Sequence, residues 1–137
     1  MSGDGAWALH AAIYAALTAD AALKALVGDP ARVYDDVPEG TPFPYVTLGE
    51  ISTLDWSTAS EIAFEHRLTL HIWSRYGGRK EIRDITAAIH DVLHDADLAL
   101  AGHRLVSLFF QASDVFRDPD GATVHGLARY RSRTAPI

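Results

Sequence analysis

Apolar and polar positions along the chain fall into two rhythms, one of period four and one of period two. Leu9, Ile13 and Leu17 lie four apart in an alanine-rich stretch, which predicts a helix over 6–17 with one apolar face. Leu23, Leu26 and Val27 predict a second helical piece over 21–27. Thr18 or Asp20 is positioned to cap it, and Gly28-Asp29-Pro30 stops it. The most regular helix lies over 79–95, where Ile82, Ile85, Ile89, Val92, Leu93 and Ala96 form a single stripe.

The period of two marks the strands. Arg32-Val33-Tyr34 is a short one, and the proline-rich 35–44 after it is a loop. Tyr45 begins a strand that runs to about Thr53, with Val46 and Leu48 on one face and Ile51 out of phase. Gly49 between them predicts a bulge that re-aims the strand. Leu54 to Ser60 is a polar connection carrying one large apolar residue, Trp56. From Glu61 to Ser74, Ile62, Phe64, Leu68, Leu70 and Ile72 share one side, interrupted by His66; Glu61, Glu65, Arg67, Thr69 and His71 share the other. Between 104 and 116, Val106, Leu108, Phe110 and Phe116 are in phase, and Leu105, Phe109 and Val115 lie opposite. A strand apolar on both faces is expected at the centre of a sheet or under a neighbouring subunit. Asp118-Pro119-Asp120-Gly121 is a turn, so 122–133 returns as its hairpin partner. The element order predicts an α+β fold, a mainly antiparallel sheet with helices packed on one face, and one domain over 1–137.

Composition narrows the chemistry. The 137 residues include no cysteine, which excludes disulfides, thiolate nucleophiles and cysteine-ligated metal clusters. A net charge of −6 argues against general nucleic-acid binding. The start, Met1-Ser2-Gly3-Asp4-Gly5, lacks the basic segment of a secretion signal, and no apolar run approaches the ~18 residues of a membrane span. A soluble, intracellular protein with no membrane partner is expected.

Four constellations are candidates for function. His90 and His94, four apart on a helix, could grip one metal ion as in a small metal-dependent enzyme, with Asp91 near the place of a general base. The carboxylate is one methylene short and no third ligand follows at helical spacing, so surface histidines near a helix end are the better reading. Gly77-Gly78-Arg79-Lys80 lacks the length of a phosphate-binding loop and fits a flexible strand-to-helix connection. Arg129, Arg131 and Arg133 alternate, so one face of a strand carries all three. They contact passing DNA or an acidic partner, or pair across strands with carboxylates such as Glu61 and Glu65; pairing is favoured for at least one of them. Trp56 either folds back over the sheet edge or anchors an interface. No spacing pairs Asp55, Asp114, Asp118 or Asp120 for acid–base work, and no catalytic residue or cofactor is assigned. Surfaces rather than a reaction centre are expected, and the loops are the candidates: Asp55, Trp56 and Ser57 in one, Arg117, Asp118 and Asp120 in the other, with the arginine row between.

Several segments, taken in order, resemble the small tail-terminator or tail-completion proteins of long-tailed phages and gene transfer agents. They are Leu23-Lys24-Ala25-Leu26-Val27-Gly28, Arg32-Val33-Tyr34-Asp35, Pro44-Tyr45-Val46-Thr47-Leu48-Gly49, Leu70-His71-Ile72-Trp73-Ser74, the helix from Ile85 to Leu93, and the Asp118 to Gly121 hairpin. The resemblance implies a non-enzymatic subunit that assembles as a hexameric ring. That ring caps the tail tube, stops addition of tail-tube protein, and joins the tube to the head-tail connector, with DNA a partner only as it passes through. It implies assembly in the host cytoplasm and residence in the particle's tail. A connector or stopper role at the head is the alternative within virion assembly.

Overall fold

A computed structural model describes residues 3–137. Met1 and Ser2, part of the start from which no secretion signal was expected, lie outside the described residues. Helices α1 (Ala6–Ala19) and α2 (Ala21–Val27) lead into strand β1 (Val33–Tyr34). Strands β2 (Tyr45–Asp55) and β3 (Phe64–Ser74), helix α3 (Lys80–Leu93), and strands β4 (His103–Arg117) and β5 (Val124–Pro136) follow. Asp20 settles the boundary between the first two helices: its carboxylate accepts from the Leu23 amide at 2.9 Å and caps α2.

The five strands form one sheet in the order β1-β2-β3-β5-β4. Only the β1–β2 pair is parallel, so the fold is α+β with a mainly antiparallel sheet. All three helices cover one face. Leu9, Ile13 and Leu17 of α1, Leu23 and Val27 of α2, and Ile82, Ile85, Ile89 and Leu93 of α3 pack against Val46, Leu70, Ile72, Leu108, Ala128 and Tyr130 of the sheet. No single helix is long and apolar enough to cross a membrane.

The predicted bulge in β2 is present. Leu48 pairs with Leu70, but Ile51 pairs with Leu68, so the extra residue returns Ile51 to the core side. Gly49 permits it, because a Cβ there would meet the Thr69 carbonyl oxygen at 2.7 Å and the His71 ring at 2.8 Å. His66, the polar interruption in β3, keeps the core phase. It is fully buried, with one ring nitrogen 2.9 Å from Thr53 Oγ1 and the other 2.8 Å from Thr134 Oγ1.

Three expectations need correction. β4 lies at the edge of the sheet, which removes the central one of its two expected places. Its two apolar sets also do not face opposite ways throughout. Bulges between Leu105 and Ser107 and between Phe110 and Ala112 bring Leu105, Leu108, Phe110 and Val115 onto the core side, and leave Phe109 and Phe116 on the outer side. At the other boundary, β2 continues through Leu54 to Asp55. β3 begins only at Phe64, so Ile62 is 64% exposed in the loop between them.

Candidate assembly surfaces

The sheet face opposite the helices carries the solvent-phase residues of every strand, and each candidate residue lies on it or at one of its two ends. β3 sets the scale. From Phe64 to Ser74 it spans about 33 Å at 3.3 Å per residue. The loop holding Asp55, Trp56 and Ser57 sits at the Phe64 end, and the turn holding Arg117, Asp118 and Asp120 sits at the Ser74 end. The two loops are therefore separate sites at opposite ends of the sheet.

At the first end the backbone closes on itself. Trp56 N–H donates to the Ala63 carbonyl at 2.9 Å, and Ala63 N–H donates to Ser57 Oγ at 3.0 Å. Hydrogen bonds from Ser57 to the Asp55 carboxylate hold that carboxyl below its usual range. Trp56 folds back over the outer sheet face, where the Arg133 guanidinium lies 4.3 Å from its ring centroid, yet it remains 41% exposed. At the other end Asp120 organises the turn. One carboxylate oxygen accepts from the amides of Ala122 and Thr123, each at 2.8 Å, and the other accepts from the Thr123 hydroxyl at 2.7 Å. These bonds, the Thr123 amide foremost, lower its pKa.

The arginine row is on one face as expected, and its partners lie within the sheet. Glu65, only 9% exposed, accepts from Arg133 at 3.2 Å and from Arg67 at 3.1 Å, with Arg131 Nε 4.0 Å away. Arg129 pairs with Asp114 on β4 at 3.2 Å. Glu61 takes no part in these pairs. Burial pushes the Glu65 carboxyl upward, and the Arg133 and Arg67 guanidiniums outweigh it and hold it below its ordinary range. Its contribution to stability is thus present above the unfolded carboxyl's pKa and lost as pH falls through the lower folded value. Glu65→Gln should cost about 1–2 kcal/mol in urea unfolding at pH 7, since the guanidiniums keep part of their hydration.

The remaining constellations resolve into local packing. The His90 and His94 rings stack with centroids 4.6 Å apart, and His90 packs edge-on against Phe110. His94 Nδ1 accepts from the Phe110 amide at 3.0 Å, tying the end of α3 to the edge of β4. Among the described residues no three His, Asp or Glu side chains are grouped to hold a metal ion. Lys80, after the two glycines, pairs with Asp84 at 2.7 Å.

One feature of the outer face escaped the sequence reading. Tyr34, Tyr45, Trp73, His125 and Phe116, one from each strand, form a row across the sheet at the Ser74 end. Successive ring centroids are 6.3, 6.5, 3.8 and 4.8 Å apart. Phe43 adds a ring beside Tyr45, and the Arg75 guanidinium lies 4.5 Å from its centroid. The signal was present only as aromatic residues in the solvent phase of separate strands, aligned by a register that the sequence does not display.

Comparisons agree with this geometry. Residues 11–135 match the model of a family described as tail completion protein gp17. The tail completion protein gp17 of Bacillus phage SPP1 is 30% identical over 92 residues, just under two thirds of each chain at 66%. A chain in a structure of the virion of a native gene transfer agent particle superposes with a TM-score of 0.89 and 34% identity, over 98% of this chain and 99% of that one. The structure of bacteriophage SPP1 gp17 superposes with a TM-score of 0.62 and 25% identity, over 96% and 89% respectively.

Proposed function

The chain belongs to the tail completion protein gp17 family, with a structural role in completing phage-type tails, and from that membership we propose that it acts as a tail terminator. Copies assemble as a ring, six to a ring, on the tip of the finished tube. The ring blocks further addition of tube protein and offers its opposite side to the head-tail connector. The work is interfacial, with no bond made or broken. DNA meets the protein only in passing through the ring.

The observation that carries this reading is the placement of two structured loops at opposite ends of a strand about 33 Å long. A subunit held between a tube and a connector needs two separate contact regions on one rigid support, and a sheet backed by three helices supplies that support. The arginine row favours this over a nucleic-acid module, because Arg133 and Arg129 are each held by a carboxylate of the sheet, Glu65 and Asp114.

The test is to add purified protein to tail tubes and tube subunits, and to follow tube length and tip morphology by electron microscopy. Tubes should stop growing and acquire a terminal ring. Continued growth with bare tips would defeat the proposal. Trp56→Ala should leave the circular dichroism spectrum unchanged, because the ring lies outside the core, and should reduce tip occupancy by about ten-fold, the loss of one interfacial aromatic anchor.

A further inference from the structure

Four arginines share the outer face of the sheet, and one of them is left without an acceptor. Arg67 donates through Nε and Nη2 to Oε2 of Glu65 at 3.3 and 3.1 Å, and Arg133 donates through Nε to Oε1 of the same carboxylate at 3.2 Å. Arg129 donates through Nη1 to Asp114 at 3.2 Å. Arg131 donates to no side chain or carbonyl among the described residues. Its Nε is buried without a hydrogen-bond partner, and the nearest Glu65 oxygen lies 4.0 Å away, beyond hydrogen-bond reach. A buried donor left unpaired is costly, and one that carries charge is more so.

The strand register sharpens the conflict. Arg67 on β3 and Arg131 on β5 stand directly opposite each other, and Arg129 stands opposite Thr69 on the same face. Side chains so opposed have Cβ atoms about 5 Å apart, and like charges at that spacing repel. Glu65 does not relieve the pair fully, because each of its oxygens already accepts from another arginine. Asp114 serves Arg129. Glu50 lies beside the His71 ring at 3.8 Å and forms no ion pair with an arginine among the described residues. Even with Glu50 counted, the four guanidiniums outnumber the carboxylates Glu50, Glu65 and Asp114 by one. A positive excess thus persists on this face of a chain whose net charge is −6.

A groove of about 420 Å³ opens over this part of the sheet, where Arg67, Arg129 and Arg131 meet the hydroxyl groups of Ser52 and Thr69 and the amide of Gln111. We propose that the groove binds a small oxyanion of the phosphate class, inorganic phosphate or a phosphate monoester. Guanidinium groups grip phosphate oxygens through paired N–H donors, and hydroxyl and amide groups add neutral ones. A carboxylate offers two oxygens in one plane, and Glu65 shows that two are too few for the arginines around it. A phosphate offers a further oxygen and a second negative charge. It gives Arg131 an acceptor and sets a negative charge beside the Arg67–Arg131 pair. The site is a property of the single chain and does not depend on ring assembly.

The Nε–H resonance of Arg131 in nitrogen–proton correlation spectra is the reporter. Inorganic phosphate and glycerol phosphate are titrated at about pH 7.5, where the dianion prevails, against sodium chloride of equal ionic strength. Phosphate should move this resonance to saturation with a Kd of about 1 mM, and chloride should not. The preference between the two phosphates separates a free ion from an ester. At a phosphate concentration about 20 times the Kd, the ratio of folded to unfolded chains in urea should rise about 20-fold. By calorimetry, Arg131→Gln and Arg129→Gln should each bind about ten-fold or more weakly, and Arg83→Gln, on the exposed side of α3, should bind as wild type does. In chloride alone Arg131→Gln should be at least as stable as wild type, because it removes a like charge opposite Arg67; a purely structural arginine would lose stability there. No phosphate-specific shift, phosphate binding that survives Arg131→Gln, or an Arg131→Gln chain less stable than wild type in chloride overturns the site. Duplex DNA that moves the resonance where inorganic phosphate does not also overturns it, and gives Arg131 to a polymer backbone instead.

Discussion

A methyl group at position 126 is expected to destabilise the fold by about 1–3 kcal/mol, with larger side chains doing more. Gly126 sits on the core side of β5, pairs with Ile72 and Val115, and lies directly beneath α3. A Cβ built there would collide with Cγ2 of Ile82, so helix or strand must move. Ile82 is fully buried, and its truncation to alanine should itself cost about 2–5 kcal/mol by opening a cavity. In the double variant Gly126→Ala/Ile82→Ala the new methyl group enters the space the isoleucine leaves. The two losses should therefore sum to less than their separate values, by about 1 kcal/mol or more. Urea unfolding of the four proteins measures the cycle; strict additivity would mean that α3 does not rest on β5 as described.

The second large effect is a loss of stability on acidification, centred on His66. Burial holds its imidazole below the ordinary value of about 6.5. The nearby Asp4 acts in the opposite sense, and His103 in the same sense as burial. The unfolded chain takes up a proton near pH 6.5 and the folded chain only below it. Between those values the unfolded state binds more protons, so stability falls as pH falls. His125 shifts in the same direction, mainly through burial and then through His71, whose Nδ1 lies 2.8 Å from its Nε2; Asp118 opposes the shift. Stability should be full above about pH 7 and decline below pH 6.5 by up to about 1.4 kcal/mol per pH unit for each histidine. His66→Gln keeps a hydrogen-bonding group between Thr53 and Thr134 without a titrating one, and should remove part of that slope. An unchanged slope between pH 7.5 and 5 would show that His66 takes up its proton at the same pH in the folded and the unfolded chain.

Legibility in the sequence tracked the range over which each signal acts. α3 was plain because its stripe of isoleucines depends on residues three and four apart; a cap for α2 was legible for the same reason, though only the structure chose Asp20 over Thr18. The bulge in β2 was visible because a glycine marks it. The two in β4 fall at Val106 and Gln111, side chains that give no such sign, so Leu105 and Val115 were assigned to the wrong face. The loops at 55–57 and 117–120 could be chosen as candidates from turn chemistry alone. Their separation by the whole length of β3 could not. Glu65 could be offered beside Glu61 as a partner for the arginine row, but the choice between them needed the β3–β5 register, which joins Glu65 to Arg133, 68 residues away in the chain. The row of aromatic rings is the extreme case. It draws one residue from each strand, and no window of sequence contains more than a part of it.

The bulged edge of the sheet has a consequence for the isolated protein. β4 leaves its distal half, beyond the tie between His94 and Phe110, open to solvent, and an open strand invites indiscriminate stacking into fibrils. The break in register at Gln111 bends that stretch away from the flat ribbon that fibril growth requires. The isolated chain can thus be stockpiled without its sheets joining edge to edge.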